Sequence, residues 1–498
     1  MAVRVFDTRS RKKRDLVTLE EGKVGLYACG ITPYSPSHIG HARQAISFDI
    51  IVRWLRKRGF EVNYITNFTD VDDKIIAAAN EEGVDFLEIS NRHIDDYFLS
   101  MDALNVIRAD AYPRVTETIP EIIEMVASLI EKGHAYLSDD GVYFEIDTSP
   151  EKYGQLTGQT LEMVRSGAGG RVGETGSGKR DHRDFALWKM AKPGEPSWES
   201  PWGDGRPGWH IECSAMSLKH LGERFDIHGG GSDLIFPHHE AEIFQSECCL
   251  GHDPVVQYWI HNGMVNVDGE KMSKSLGNFW TISEALENVD PLVLRYTLIN
   301  APYRQPVDFN QVMIDDSETH HGRLVTCYGE GLAKFGRGAS MNKECDWRMF
   351  PELVDAANRF EEGMDDDFNT RVALVEVQAV VKMLRGLLDD MVDYNEVTDD
   401  GVYIGPISDF IAGLIGWLSE FAGEVLGLLP EEADILEAIH SEESAKDEIS
   451  QDVERLLSQR DAARKSKDWS RADEIRDELA GMGVIVEDGP DGATWRIE

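Results

Sequence analysis

No long apolar run is present. The greasiest stretch, Phe410 to Leu418, is closed off by Ser419, Glu420 and Glu424. It is too short and too acidic to span a bilayer, which takes about 20 apolar residues. The N-terminal MAVRVFDTRSRKKRD holds no apolar core of leader length. A soluble cytoplasmic protein with no membrane partner is expected. Cysteine is scarce as well. The six residues, Cys29, Cys213, Cys248, Cys249, Cys327 and Cys345, include an adjacent pair and spell no disulfide framework. Each is a candidate for a buried thiol, a metal ligand or a catalytic group. Positive charge is the third shortage. Ninety acids against fifty bases leave the chain at −40. Nucleic-acid binders are commonly basic, so charge alone speaks against one. The same balance suits a salt-rich cytosol, where repulsion is screened over short distances and surface carboxylates keep a protein soluble.

At 498 residues the chain is long enough for about two to four domains. Residues 23–66 read as a βαβ unit. KVGLYAC alternates as a strand and ITPYSPS is a turn-rich loop. Ala45, Phe48, Val52 and Leu55 then recur at helical spacing between His41 and Arg58, and EVNYIT follows as the second strand. This is the start of a doubly wound sheet, whose ligands sit beyond the carboxyl ends of strands. Residues 116–200 read as an insertion with a glycine-rich loop at 166–180, and 201–260 return to α/β patterning. From about 320 the pattern is helical. Asn369 or Thr370 is the expected cap of a helix with Val372, Val375, Val380, Met383 and Leu387 on its apolar stripe. Residues 431–454 hold ten acids and one base, whereas 455–476 hold seven bases and four acids. VIVEDGPDGATWRIE then reads as a hairpin around Gly489–Gly492.

Two motifs carry chemistry. In SHIGHAR, His38 and His41 flank Gly40 where a helix begins. A helix N-terminus offers unpaired N–H groups and partial positive charge to a phosphate, and imidazole N–H groups add to them. A histidine pair that only caps the helix is the plainer reading. In GEKMSKSLGN, Lys271 and Lys274 lie on a loop flanked by glycines. Two ammonium groups there can close over a polyphosphate and stabilise charge moving to a leaving group. A third set is a metal candidate. Cys29 ends the first strand, Cys213 sits in GWHIECSAM, and FPHHEAE puts Pro237 at a first helical turn with His238 and Glu242 four apart on one face. Two thiolates, an imidazole and a carboxylate make a four-coordinate zinc site. By spacing alone, His239 and Glu240 are equally legal ligands.

His-Ile-Gly-His followed far downstream by Lys-Met-Ser-Lys-Ser resembles the two signatures of class I aminoacyl-tRNA synthetases. CGITPYSPSHIGHAR, TDVDDKII, DFALWK, GWHIECSAM, HGGGSDLIFPHHEAE, DDDFNT and ARKSKDWSRADEIRDEL with EDGPDGATWR narrow the resemblance to the cysteinyl-tRNA synthetase family, from Cys29 to the C-terminus. The resemblance implies a class I Rossmann catalytic domain in two halves, 1–115 and 201–260, around a connective insertion at 116–200. It further implies a linking segment with the KMSKS loop at 261–320, a helical domain at 321–430, and a linker with a small α/β anticodon-binding domain at 431–498. By the same resemblance, one zinc per chain sits on Cys29, Cys213, His238 and Glu242 and takes the substrate thiolate. Thr69 and Trp209 lie around the amino acid, and Gly40, Gly231, Asp233 and Lys274 at ATP. His38, His41, Lys271 and Lys274 are the catalytic set. The implied reaction joins L-cysteine to tRNA(Cys) through an adenylate, using Mg-ATP, in a monomer. Soft sulfur binds zinc better than a hydroxyl does, which separates cysteine from serine where an apolar pocket would not.

The sequence departs from the family pattern at Pro33-Tyr34-Ser35-Pro36, at Ala241 and in the length of the 166–180 loop. Two other readings compete. A paralogous ligase would join cysteine to an amino sugar, and would not need the basic helix and hairpin at 455–498. A catalytically silent zinc-containing binder would not need His38, His41, Lys271 and Lys274.

Overall fold

A computed structural model describes residues 2–159, 178–208, 210–267, 269–272, 279–335, 346–390, 406–482, 484–489 and 492–497. The chain opens with a hairpin, β1 (Arg4–Asp7) and β2 (Lys12–Asp15). The βαβ unit follows as β3 (Lys23–Ile31), α1 (Ile39–Lys57) and β4 (Glu61–Phe68). Next come α2 (Asp73–Glu82) and α3 (Phe86–Ala103). Asp72 and Asp85 cap them, each carboxylate accepting the N–H two residues on at 2.8 Å.

The segment read as an insertion, 116–200, carries α4 (Ile119–Glu131) and the strands β5 (Ala135–Ser138), β6 (Gly141–Phe144) and β7 (Phe185–Met190); β8 (Gly205–Pro207), beyond the expected limit, completes their antiparallel sheet. Asp73 clasps this sheet to the first half. Lys189 Nζ lies 2.8 Å from one of its oxygens and Arg206 pairs with the other.

The chain then forms α5 (Ile211–Leu221), β9 (Phe225–Gly231), α6 (Glu240–Leu250) and β10 (Val256–Asn262). One parallel sheet runs β10-β9-β3-β4. β3 leads to β4 on one side and β9 to β10 on the other. Strand order therefore reverses between β3 and β9, where open α/β sheets place their ligand crevice. Cys29 lies at that end of β3 and Gly231 at that end of β9.

A small sheet of β11 (Val265–Val267), β12 (Glu270–Lys271) and β13 (Val307–Phe309) follows, with α7 (Ile282–Leu286) and α8 (Pro291–Ile299) between its strands. Beyond it run α9 (Gln311–Phe335), α10 (Pro351–Asp365), α11 (Thr370–Asp390) and α12 (Pro406–Leu418). One core joins sheet and helices, from Ile46, Ile51 and Trp54 of α1 to Phe360, Val377 and Trp417. On α11 the buried stripe is Leu374, Val377, Val381, Leu384 and Leu388. That corrects the expected stripe in part: Val380 is buried, but Val375 is 58% exposed and Val372 36%. Asn369 takes the cap, its side chain accepting Val372 N–H at 3.4 Å, while Thr370 Oγ1 donates to Ile299 O.

The chain ends with α13 (Glu432–Lys465), α14 (Trp469–Gly481) and a hairpin of β14 (Val484–Gly489) and β15 (Gly492–Ile497). α13 is a single helix of 34 residues, so the charge reversal at 454/455 falls inside it and marks no break. Its start buries Ile435 in the main core. Its far half buries Val453 and Leu456 against Ile475, Leu479 and Val484. Among the described residues, no helix is long and apolar enough to cross a membrane.

Candidate active site

His38 and His41 build the start of α1 from their own rings. His38 is the N-cap, and its Nδ1 accepts Gly40 N–H at 3.1 Å. His41 Nδ1 accepts His38 N–H at 3.3 Å, and the rings stack with centroids 3.6 Å apart. A Cβ at residue 40 would lie 2.9 Å from the His38 ring, so glycine is required there. The capping reading is therefore correct, and it serves the phosphate reading. An imidazole that accepts at Nδ1 carries its proton on Nε2. Both rings thus present Nε2–H donors beside the helix N-terminus. Burial holds the His41 imidazole well below its usual range, so it stays neutral.

The flanks of the second signature meet this helix start. Met272 Cε lies 3.8 Å from the site of a Gly40 Cβ. On the far side, Ile39 N–H donates to Trp280 O at 3.2 Å and Ile282 N–H to Ser37 O at 2.8 Å. The backbone of Lys271 pairs with Asn266 in β12. Lys274 lies outside the described residues, as do Trp209 and 160–177 of the glycine-rich segment.

A cleft of about 610 Å³ opens at this point. Its walls include Cys29, Cys213 and His238, the α1 start with His38, Gly40 and His41, and Thr69, Gly231 and Asp233. Asn67 Nδ2 donates to Thr69 Oγ1 at 3.3 Å. Tyr34, from the departing Pro-Tyr-Ser-Pro stretch, also borders the cleft with Lys74 Nζ 4.9 Å above its ring.

Among the described residues, two overlapping groups of side chains can hold a metal. Cys29, His210, Cys213 and Glu242 place one ligand atom each within 4.8 Å of one another, and so do Cys29, His228, His239 and Glu242. Only the first set borders the cleft through three of its members. Cys29 Sγ lies 3.6 Å from Glu242 Oε1, and His210 Nδ1 lies 2.8 Å from the same oxygen. Burial pushes both the Cys29 thiol and the Glu242 carboxyl well up. A buried carboxyl beside two thiols is unfavourable as an anion unless a cation joins it, and two sulfurs, a nitrogen and an oxygen fit a divalent ion. The residues present therefore suit a metal.

His238 stands one step outside that group. Its Nδ1 lies 2.6 Å from His210 Nε2, and burial lowers it to about 3. The chain enters α6 through a π-type turn spanning Ile235–His239, with Phe236 extended inside it. Phe236 is the one residue of that turn outside helical angles, so helical backbone runs from Pro237 into α6, with His238 and Glu242 four positions apart on it as expected. Sequence reading passed over His210, although an imidazole three positions before Cys213 was a visible signal. Of the buried imidazole shell it named only His239, whose Nε2 is 3.3 Å from Cys29 Sγ and whose Nδ1 is 2.9 Å from His261 Nε2; His228 and His261 it passed over. Glu212 reaches the cleft too, pushed up by burial to about 8, with one oxygen accepting no hydrogen bond.

A parallel sheet with its cleft at the strand reversal, and the flanks of the second signature packed at the helix start that carries the first, is the architecture of a class I aminoacyl-tRNA synthetase. Comparison with known proteins agrees. Residues 15–319 match the family described as tRNA synthetases class I (C) catalytic domain, 359–430 a DALR domain, and 446–496 the cysteinyl-tRNA ligase anticodon binding domain. The chain belongs to the cysteine–tRNA ligase family. The cysteine–tRNA ligase of Geobacter sulfurreducens is 45% identical over 100% of both chains, and that of Shewanella sediminis 45% over 99% of both. A Mycobacterium tuberculosis methionyl-tRNA synthetase in complex with methionyl-adenylate shares the fold at a TM-score of 0.60 and 16% identity, over 83% of this chain and 93% of that one.

Proposed function

We propose that this chain activates L-cysteine with ATP and transfers it to tRNA(Cys). One observation carries the reading: a single cleft holds two thiols on one wall and two Nε2–H imidazoles at a helix N-terminus on another. The cysteine carboxylate attacks the α-phosphorus of Mg-ATP, and pyrophosphate leaves. His38, His41 and the N–H groups of α1 hold phosphate oxygens, and Lys271 and Lys274 take up the charge that develops on pyrophosphate. Gly40 lets the phosphates approach the backbone, and Gly231 and Asp233 hold the ribose. Thr69 and Trp209 orient the amino acid. A ribose hydroxyl of tRNA then attacks the adenylate carbonyl, so that orientation and charge stabilisation do most of the catalysis. Zinc would be held by Cys29, Cys213, Glu242 and an imidazole, His238 by the family pattern or His210 by its place in the group, and would supply a soft ligand site for the substrate thiolate.

The enzyme works in the cytoplasm as a monomer, with the domain limits expected from the sequence. The anticodon-binding match at 446–496 supports tRNA as acceptor over an amino sugar. Cysteine-dependent exchange of pyrophosphate into ATP, measured beside charging of tRNA(Cys), tests the proposal. Exchange without charging would favour the amino-sugar ligase, and neither activity would favour a silent binder.

Removal of residues 451–498 is expected to leave exchange near wild type and to cripple charging. The truncation cuts α13 before Val453 and takes away the small core around Ile475 and Leu479. Normal charging by the truncated chain would show that this end makes no tRNA contact.

A second expectation follows from the charge of −40. Dilute salt leaves carboxylates repelling one another and the tRNA alike, whereas molar KCl screens them. Charging rate and unfolding midpoint should both rise from dilute to molar KCl. The loss of tRNA affinity with salt should be shallower than counterion release gives a basic binder. If rate and midpoint both peak at low salt and fall steadily, salt adaptation is wrong while the ligase reading stands.

A further inference from the structure

Away from the cleft, α1 carries a buried charge that the chemistry above does not use. Asp49 lies eight residues beyond His41, about 12 Å along the helix, and is fully buried with Arg295 of α8. Asp49 Oδ1 also accepts Arg53 Nε at 2.9 Å and Ile107 N–H at 2.8 Å. Arg295 spends its other donors on backbone: Nε on Leu426 O at 2.7 Å, and Nη1 on Leu104 O at 3.0 Å and Asn105 O at 2.9 Å. One carboxylate thus orients two arginines.

Those donors converge on the last turn before α13. Arg53 Nη1 takes Glu424 O at 2.9 Å, Arg295 takes Leu426 O, and Asn105 Nδ2 takes Gly427 O at 3.1 Å. Gly427 has φ +66°, and a Cβ there would sit 2.7 Å from the Arg295 guanidinium. The chain is shaped so that the guanidinium can lie against its backbone. Carbonyls at a helix end need donors from somewhere, but water or local side chains would serve. Here they are taken by Arg53 of the helix that bears His38 and His41, by Asn105 just past α3, and by Arg295 of α8, which is bolted to the first helix a second time. Arg43 of α1 donates to Leu298 O and, at 2.9 Å, to Pro302 O.

We infer that Asp49, Arg53 and Arg295 form a positioning junction, which registers the segment leading to the C-terminal domain against the helix that holds the phosphates. A tRNA engaged at that domain reaches the cleft in a geometry set by this contact. The junction touches no substrate, so Asp49 acts through its arginines and helps transfer rather than adenylation. The inference rests on the ligase reading given above.

The experiment compares two variants with wild type in cysteine-dependent pyrophosphate exchange, in tRNA(Cys) charging and in thermal midpoint. Asp49→Asn keeps the shape and removes the charge that orients both arginines. Asn105→Gly keeps the left-handed backbone of Asn105 (φ +53°) and deletes its two side-chain bonds in the junction, Nδ2 to Gly427 O and Arg53 Nη2 to Oδ1 at 3.3 Å. Both should lower kcat/KM for tRNA about tenfold, the scale of coupling between distant sites, with exchange near wild type. If Asp49→Asn fails to fold, Asn105→Gly decides. Charging and exchange that fall in proportion overturn the inference, as does unchanged charging with only a lowered midpoint. Absence of exchange in the wild type would instead overturn the ligase reading itself.

Discussion

Cys213→Ser is expected to lose its metal and with it about 100-fold or more of its affinity for cysteine, while ATP binds as before. Changes one shell further out already cost metal sites about 10- to 100-fold, and here a ligand itself is removed. Cys213 is 2% exposed, and its Sγ borders the same cleft as Cys29. A serine hydroxyl in that place does not ionise, so Glu242 and Cys29 are left to hold a cation with one donor fewer. The side of the cleft proposed for phosphate, lined by His38 and His41, shares no residue with this group and should be untouched. Metal analysis with calorimetry for cysteine and for ATP checks each part. Full metal content with unchanged cysteine affinity would sink the ligand assignment. The same assay on His238→Ala and His210→Ala identifies the imidazole, since His210 stands inside the cluster and His238 on its far nitrogen.

Lys274→Ala should slow adenylate formation by about 100- to 1,000-fold, the usual loss when one preorganised donor to a developing charge is deleted, with cysteine affinity little changed. In the role proposed for it, the charge it meets appears only as pyrophosphate leaves. Its contribution therefore belongs to the rate constant and not to ground-state binding. The segment that bears it is anchored on both flanks at the α1 start, by Met272 beside Gly40 and by Trp280 and Ile282 on the backbone. Single-turnover adenylation over a range of cysteine concentrations separates the two. Weakened cysteine binding at an unchanged rate constant would contradict the role.

Much of the sheet half was legible because its elements are local. The βαβ unit at 23–66 and the hairpin at Gly489–Gly492 follow from period and turn residues a few positions apart. The α11 stripe was half misread because VALVEVQAVV is apolar on more than one face. Only its neighbours α9, α10 and α12 choose which face is covered. The metal group was invisible to spacing for a related reason. Its members come from β3, α5 and α6, and no local count links residues 29, 213 and 242. The buried Asp49–Arg295 pair was harder still. Charged residues are read as surface by default, and these partners lie 246 positions apart.

The unbroken course of α13 sets a mechanical condition. Thirty-four residues at 1.5 Å each make a strut of about 50 Å, seated at one end by Ile435 and at the other by Val453 and Leu456. A strut transmits azimuth as well as length. One residue inserted near its middle would swing the terminal module by about 100° around the axis, whereas seven would nearly restore its heading and lengthen the arm by about 10 Å. Drift in this stretch is therefore quantised in turns, and a reach too short for the nucleic acid cannot be cured by a hinge in the middle.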